Sequence, residues 1–264
     1  KMKKASVIGS GFSGCMFAMM LIEKNWEVTV VDKSNITGGG VRTFYHGSHP
    51  FTYGPRHFIG PEDNMLAFEF LNKYVPMRHI KKKNLSYQAK EDFFASYPIH
   101  EEDIKQLSDS EEIFKEISLL ETETQSKNFE EYWQGRVGNR LYERFNKYYN
   151  LKAWNINDNK TMNYGFEATV KRKPLETGSR YEFHTDYINA YPIAHNGYND
   201  FFDISLKGCN LILGKGVKKV DIENCTLILE DETKIESDLI INTISPDILF
   251  DYCWGELAYV GRDF

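Results

Sequence analysis

The chain has 264 residues, 41% of them hydrophobic, so it is long enough to bury one or two cores and to form an enzyme with a separate substrate region. Its formal net charge of -6 excludes the global positive field that nucleic-acid binders use, so an anionic ligand would need locally placed Arg or Lys. The 4 cysteines lack metal-ligand spacing, which argues against a zinc site and a dense disulfide framework and fits a reducing cytoplasm.

The N-terminal residues predict a β-strand, a tight turn, a helix and a second β-strand. Ala5 to Ile8 is a short apolar run, Cys15 to Lys24 lacks Gly and Pro, and Glu27 to Asp32 is rich in β-branched residues. The apolar run Cys15 to Ile22 is far shorter than the roughly 20 residues of a membrane span. We expect neither membrane insertion nor an export signal, because no h-region and cleavage site follow Lys1 to Lys4.

The middle of the chain is predicted to be helical and the last third to be rich in strands. Apolar residues recur at helical spacing in Asn64 to Tyr74, Glu101 to Leu120 and Phe129 to Tyr149. Arg180 to Tyr191 is rich in Tyr, Phe, His and Thr and predicts strands of a second, antiparallel sheet. The segments predicted to return to the first sheet are Asn210 to Leu213, Val217 to Ile222, Cys225 to Leu229 and Leu239 to Ile244.

The turn after the first strand has the spacing of a dinucleotide-binding fingerprint, in which Gly9 permits the tight bend and Gly11 lets the backbone approach a pyrophosphate. Gly14 lets the helix and the strand pack closely, and the helix N-terminus favours an anion. Asp32, which ends the next strand, can accept both ribose hydroxyls of an adenosine. Glycine-rich turns also occur without a ligand, but the order of strand, turn, helix and acid favours a binding site.

A second glycine motif separates FAD from NAD as the cofactor. Gly38 to Thr43 resembles the second glycine motif of the large flavoprotein family related to glutathione reductase and the amine oxidases, and NAD enzymes usually lack this extension. We therefore predict FAD. The predicted cofactor-binding residues in this part of the chain are Gly9, Gly11, Ser13, Gly14, Asp32, Lys33, Gly39 and Gly40.

These elements predict an α/β fold with three regions. A discontinuous Rossmann-type FAD-binding domain comprises residues 1–75 and 205–264, because strands after Gly197 are expected to return to the first sheet. An inserted helical subdomain is expected over residues 76–158, and an antiparallel β-sheet substrate region over residues 159–204.

Several motifs follow one another in the order that one flavoprotein family shows. Asp32 to Thr43 is similar to an acid-to-double-glycine segment, Tyr53 to Phe58 resembles a Tyr-Gly-Pro-His loop beside the flavin, and Tyr97 to Ile99 resembles a Leu-Pro-Ile element. The most specific match is Phe145 to Trp154, which resembles an aromatic segment ending in Lys-Gln-Trp. These motifs are those of the UDP-galactopyranose mutases, which the chain resembles over nearly all of its length.

The resemblance continues towards the end of the chain. Val170 to Arg172 matches an Arg that approaches the substrate, and Pro192 to Tyr198 matches a Pro and Gly-Tyr pair that opens the next helix. Ser237 to Asp247 resembles the strand that re-enters the flavin domain, and Gly255 to Phe264 resembles the active-site segment after it. Members of the family continue into a region that supplies further Tyr and Arg residues to the substrate site. We therefore expect the 264 residues of this chain not to complete the catalytic cycle alone.

The resemblance implies a flavin-dependent isomerase of polysaccharide or glycoconjugate precursor synthesis. In that family the N5 atom of reduced FAD attacks the anomeric carbon of a nucleotide sugar, the nucleotide leaves, and the opened sugar recloses as a furanose. A nucleotide sugar is therefore the expected substrate and the cytoplasm the expected location. Neither nucleic acid nor a membrane is an expected partner, and the resemblance is compatible with a homodimer.

The resemblance also implies roles for individual side chains. Phe145 and Tyr149 would line the nucleobase pocket, Trp154 would form a wall of the sugar site, and Arg172 would contact the substrate near the flavin, because a guanidinium suits a diphosphate. Each role has an alternative, which is core packing for the first pair, a buried indole for Trp154 and a surface cation for Arg172. The further cofactor-binding residues are Tyr53, Gly54, Pro55, His57 and Val217, and the catalytic set is Arg56, His57, Trp154, Arg172 and Arg262.

The sequence departs from the family pattern at three places. Arg56 stands where a His is usual, so either His57 takes that role from the next position or the flavin environment differs. Val260 stands where an Arg is usual, and Arg262 could compensate. Tyr181 to Tyr191 differs from the aromatic pattern that helps to hold uridine, so the base, the sugar or both can differ from those of UDP-galactose.

Two other functions remain open at this stage. An FAD oxidoreductase of the amine-oxidase type would share the glycine fingerprint, although the segment Phe145 to Trp154 argues against it. The second alternative is a truncated homologue that binds nucleotide without turnover.

Overall fold

The computed structural model describes residues 2–61, 65–81, 84–97, 99–120, 126–163 and 187–257. The chain divides into two units, which are treated separately below. The first unit comprises residues Lys1–Ile80 and Asp186–Leu257, and the second comprises Lys81–Thr185 and Ala258–Phe264. The division therefore falls at residues 80 and 186, whereas the sequence predicts three regions with boundaries at residues 75, 158 and 204.

The described residues form strands and helices that are numbered here in chain order. The strands are β1 (Lys4–Ile8), β2 (Glu27–Asp32), β3 (Phe44–His46), β4 (His49–Phe51), β5 (Phe58–Pro61), β6 (Met77–His79), β7 (Leu85–Gln88), β8 (Phe93–Ser96), β9 (Tyr187–Pro192), β10 (Asn210–Leu213), β11 (Val217–Asp221), β12 (Thr226–Leu229), β13 (Lys234–Glu236) and β14 (Leu239–Asn242). The helices are α1 (Phe12–Glu23), α2 (Leu66–Tyr74), α3 (Glu101–Ile104), α4 (Ser110–Ser118), α5 (Phe129–Leu141), α6 (Tyr148–Trp154), α7 (Asn199–Ser205) and α8 (Pro246–Leu249).

A four-stranded parallel sheet in the order β10-β2-β1-β14 forms the centre of the first unit. Helix α1 connects β1 to β2, as expected for a βαβ unit, and β14 pairs with the other edge of β1. Side chains alternate between the two faces of a strand, so Val28 and Val30 of β2 pack on one side of the sheet and Val31 on the other. The α/β fold with a Rossmann-type sheet is thereby confirmed.

One face of this sheet packs against α1, and α2 and α7 contribute to the same core cluster. Helix α1 presents Gly14, Cys15, Ala18 and Leu21 to the core, which is the spacing of one helix face. The core cluster on this side also contains Phe201 and Phe202 of α7, both of them 0% exposed. The segment that returns after β9 is therefore part of the same core as the N-terminal βαβ unit.

The opposite face is covered by a separate antiparallel sheet, in the order β11-β12-β13. Leu227 and Leu229 of β12 pack with Ile8, Val31 and α8 in one cluster. The prediction that residues 217–222 and 225–229 return to the first sheet is therefore wrong, whereas β10 and β14 do join it. Short apolar segments that cover a sheet look like segments that extend it, because both bury their side chains.

A second antiparallel sheet of the first unit has the order β5-β9-β6. Strand β9 confirms the antiparallel strand expected near Tyr191, and residues 180–186 lie outside the described part of the chain. Strand β6 belongs to this sheet rather than to a helical region. Its three residues are too few to show an alternating pattern.

The described residues of the second unit are mostly helical and form one hairpin, β7-β8. The helix predicted for Glu101 to Leu120 is divided into two helices, α3 and α4. Asp109 precedes α4, and its carboxylate forms ion pairs with Arg140 and Arg144 instead of capping the helix. The helix predicted for Phe129 to Tyr149 is continued by a π-helical turn, Tyr142–Lys147, and by α6. Gly138, with φ of 80°, interrupts α5.

None of the helices formed by the described residues has the length and apolar character of a membrane span.

Candidate dinucleotide and ligand site

The glycine turn between β1 and α1 depends on close backbone contact. Gly9 has a φ of +96°, which favours glycine, and its N–H donates to the carbonyl of Val31 at 2.8 Å. A Cβ on Gly14 would lie 1.9 Å from the carbonyl oxygen of Gly9. Only glycine at position 14 therefore permits α1 to begin this close to β1.

Gly11 has a different environment from the other two fingerprint glycines. It precedes α1 with an ordinary φ of -73°, and no side chain caps the helix there. A Cβ on Gly11 would meet no atom within 4 Å. The protein thus leaves open space at the start of a 12-residue helix, where N–H groups and the helix dipole favour a phosphate. This space is the observation that fits a dinucleotide.

Asp32, the last residue of β2, links the end of this strand to the glycine turn. Its Oδ2 accepts hydrogen bonds from the backbone N–H of Ser10 at 2.7 Å and from the Ser10 hydroxyl at 2.6 Å. Its Oδ1 accepts one from the N–H of Ser34 at 2.8 Å. A carboxylate offers about four lone-pair sites, and these three hydrogen bonds leave capacity on Oδ1 for a hydroxyl group of a ligand beside the turn.

The second glycine motif packs directly on the first. The N–H of Gly38 donates to the carbonyl of Ser10 at 2.8 Å, and a Cβ on Gly39 would lie 3.4 Å from the Cα of Gly11. The N–H of Gly54 donates to the carbonyl of Gly40 at 2.5 Å. A continuous backbone surface therefore runs from the fingerprint turn to the loop that contains Tyr53 to His57.

In that loop, Arg56 is committed to a structural contact. Its Nη2 donates to the carbonyls of Ala194 at 3.2 Å and His195 at 3.0 Å, and its Nε is buried without a hydrogen-bond partner among the described residues. The hydroxyl of Tyr198 donates to the Arg56 carbonyl at 3.0 Å, and burial raises the pKa of Tyr198 to about 12, so the donor proton is retained. Arg56 thus fixes the turn at residues 194–195.

Two other side chains of this loop, those of His57 and Tyr53, contact different aromatic residues. The His57 ring stacks on Tyr191, with centroids 5.1 Å apart and an interplanar angle of 15°. Tyr53 is 78% exposed and contacts Phe44 and Phe51 edge to face. Whether His57 takes the role of the family's histidine stays a prediction.

A pocket lies on the exposed face of the sheet β5-β9-β6. Its volume is about 410 Å³, and its lining includes Pro50, Arg56, Arg78, Tyr191 and residues 192–195. Sequence patterns do not single out Arg78 or His195, because Arg78 lies on a three-residue strand and His195 in a turn. Strand pairing brings Arg78 to this site, and the turn that Arg56 holds brings His195.

The substrate-binding residues predicted in the second unit differ in burial. Phe145 is 7% exposed and stacks on Tyr97 within the core, whereas Tyr149 is 67% exposed. Trp154 ends α6 and is half-buried. The burial of Phe145 supports the core-packing alternative for this residue, while the exposed Tyr149 ring is accessible to a ligand.

The remaining predicted site residues fall into two groups. Lys33 is exposed after β2, and Val217 begins β11 and packs on the cluster beneath the parallel sheet. Arg172 and Arg262, with the departure at Val260, lie outside the described residues.

These features are those of a dinucleotide-binding protein of the Rossmann type. They are the strand, glycine turn and helix, the open space at Gly11 and the carboxylate that ends β2. Comparison with protein families agrees, since residues 7–74 match the NAD(P)-binding Rossmann-like domain. Residues 144–264 match the UDP-galactopyranose mutase family. The protein is related to that family, as the sequence motifs predict.

Individual relatives extend this result. The chain is 27% identical over 276 residues to the dTDP-fucopyranose mutase of Escherichia coli, covering 100% of this chain and 68% of that protein. It is 26% identical over 202 residues to a probable UDP-galactopyranose mutase of Klebsiella pneumoniae, covering 71% of this chain and 48% of that protein. The crystal structure of a reduced UDP-galactopyranose mutase has the same fold, with a TM-score of 0.74 at 17% identity over 93% of this chain and 56% of that chain. The chain spans between about half and two thirds of these mutases.

The two glycines at positions 11 and 14 give a matched test of the turn. We expect Gly14→Ala to lower the free energy of unfolding by about 1–3 kcal/mol or more, because its Cβ overlaps the Gly9 carbonyl. Gly11→Ala should cost less than about 1 kcal/mol, the effect of a poorer helix N-cap, because its Cβ meets open space. Urea unfolding measures both, and equal losses would contradict this account of the turn.

Proposed function

We propose that the protein interconverts the pyranose and furanose forms of a nucleotide-linked sugar with FAD as its cofactor. The observation that carries the proposal is the match of residues 144–264 to the mutase family in a chain whose residues 7–74 match a Rossmann-like domain with open space at Gly11. The same proposal places the enzyme in the cytoplasm and in the synthesis of polysaccharide or glycoconjugate precursors.

The residues of the first unit fit FAD from the adenosine outwards. Asp32 would accept the ribose hydroxyls, and the start of α1 beside Gly11 would hold the pyrophosphate. The backbone surface through Gly39 and Gly54 would lead the cofactor towards His57. Bound in its reduced form, FAD would supply the nucleophile for the anomeric carbon of the sugar.

The protein's own task would be to bind and orient the nucleotide sugar and to exclude water. The diphosphate that leaves carries charge, and cations at fixed positions stabilise it. We assign this role to Arg172 and Arg262, and the wall of the sugar site to Trp154, on the family resemblance.

We further propose thymine rather than uracil as the nucleobase. The relative whose match covers 100% of this chain is a dTDP-fucopyranose mutase. In addition, Tyr181 to Tyr191 departs from the aromatic pattern that helps to hold uridine. A dTDP-linked sugar is therefore the substrate class that both observations favour.

The deciding experiment incubates the purified protein with FAD, with dTDP-fucopyranose or UDP-galactopyranose, and with or without dithionite. Furanose product that forms only with reduced FAD, and faster from the dTDP sugar, supports the proposal. Oxygen consumed in proportion to an oxidised product would show an oxidoreductase of the amine-oxidase type instead. Binding of FAD and dTDP without any product would show a homologue without turnover, and binding of FAD without either nucleotide would contradict the proposal.

Cofactor binding gives a second prediction. Asp32→Ala should weaken FAD about ten- to a hundredfold, because a charged acceptor contributes about 1.5–3 kcal/mol. Gly11→Ala should also weaken FAD, since its methyl group would enter the space left for the pyrophosphate. Fluorescence titration measures both affinities. Ser10→Ala, which removes only the hydroxyl bonded to Asp32, is the control for a loosened turn.

A third prediction separates the aromatic pair of the second unit. Tyr149→Ala should weaken dTDP by about tenfold or more, since stacking on a base contributes about 1–3 kcal/mol. It should leave stability unchanged, because this side chain is 67% exposed. Phe145→Ala should instead cost about 3–5 kcal/mol of unfolding free energy, because it empties a core position. If Tyr149→Ala binds dTDP as the wild type does, Tyr149 does not contact the base.

A further inference from the structure

The pocket on the sheet β5-β9-β6 lies apart from the fingerprint turn and has a chemistry of its own. Arg78 of β6 is paired in register with Tyr191 of β9. Side chains of directly paired residues lie on the same face of a sheet. Arg78 and Tyr191 therefore line the pocket together, and the His57 ring stacks on Tyr191.

The charges around the pocket are all of one sign. Two arginines line it, and no Asp or Glu among the described residues does. Arg56 is occupied by the carbonyls of Ala194 and His195, so it fixes the wall of the pocket. Arg78 is exposed and forms no ion pair with a described carboxylate. In a chain with a net charge of -6, such a free cation in a concave site favours an anionic ligand.

The geometry points to a binding site for a phosphate-type anion in this pocket, with Arg78 as the residue that contacts the anion. A guanidinium donates two parallel hydrogen bonds to a phosphate. The volume of about 410 Å³ falls among small-molecule pockets of roughly 300–1,000 Å³, so the phosphate would be one part of a larger ligand. If the proposed function holds, on which this step rests, that ligand is the nucleotide sugar and the anion is its diphosphate.

The test compares two ligands with four proteins. Calorimetry measures the affinity of dTDP and of inorganic pyrophosphate for the wild type, Arg78→Gln, Arg78→Lys and Lys219→Gln, each with FAD present. Lys219 is an exposed cation on β11 of the same unit, and its replacement removes the same charge outside the pocket. Melting temperatures confirm that all four proteins are folded.

We expect Arg78→Gln to weaken binding by about tenfold or more. Arg78→Lys should bind more tightly than Arg78→Gln because it keeps the charge, and more weakly than the wild type because an ammonium group cannot donate two parallel hydrogen bonds. The affinity of Lys219→Gln should stay within about twofold of the wild type. Added salt should reduce the difference in affinity between Arg78→Gln and the wild type, because it screens the charge of Arg78.

The two ligands distinguish the source of the anion. Loss of dTDP binding, with or without loss of pyrophosphate binding, assigns the pocket to the nucleotide's diphosphate. Loss of pyrophosphate binding alone assigns it to free phosphate compounds. Pyrophosphate binding that depends on Arg78 in a protein that binds no nucleotide would uphold the pocket and remove the proposed function. Equal affinities of Arg78→Gln and the wild type for both ligands, or no binding of either ligand to the wild type, overturn the inference.

Discussion

The contact between Gly14 and the carbonyl of Gly9 is the constraint on which the rest of the first unit depends. A Cβ at position 14 would lie 1.9 Å from that oxygen, so α1 can start beside β1 only because position 14 has no side chain. This closeness places Gly11 at the mouth of the turn, where Asp32 reaches Ser10 and Gly39 approaches the Gly11 Cα. The open space for a phosphate is therefore a consequence of backbone packing, and the Asp32 carboxylate holds the turn through its hydrogen bonds to Ser10.

The position of α1 is fixed by residues that are distant in sequence. Phe12, directly after Gly11, contacts the rings of Tyr198, Phe201 and Phe202, with centroids 4.9, 5.4 and 5.0 Å away. A Cβ on Gly38 would lie 2.6 Å from the Phe202 ring. The same helix, α7, thus packs against both glycine motifs. The surface beside both glycine motifs is therefore complete only with the segment that follows β9, which explains physically why this unit is discontinuous.

Sequence patterns predicted the elements whose residues carry local signals. The bounds of β2, from Glu27 to Asp32, and of β10, from Asn210 to Leu213, follow from apolar runs between polar residues. The pattern could not show that β11 and β12 form their own sheet, because burial is the same whether a strand extends a sheet or covers it. For the candidate site, the fingerprint glycines were predicted, whereas Arg78 depends on strand pairing that three residues do not encode.

The two pocket arginines show why residue type alone does not decide a role. Arg56 matches a position that the family gives to histidine, and from the sequence it is the candidate for catalysis. In the structure its Nη2 is bound to two backbone carbonyls, and its Nε is buried. A cation that satisfies carbonyls in the protein has less capacity left for a ligand. Arg78 carries no such contact among the described residues. The two arginines therefore differ in role, because Arg56 shapes the pocket whereas the charge of Arg78 is available to a ligand. That division follows from hydrogen-bond partners, which only the folded chain determines.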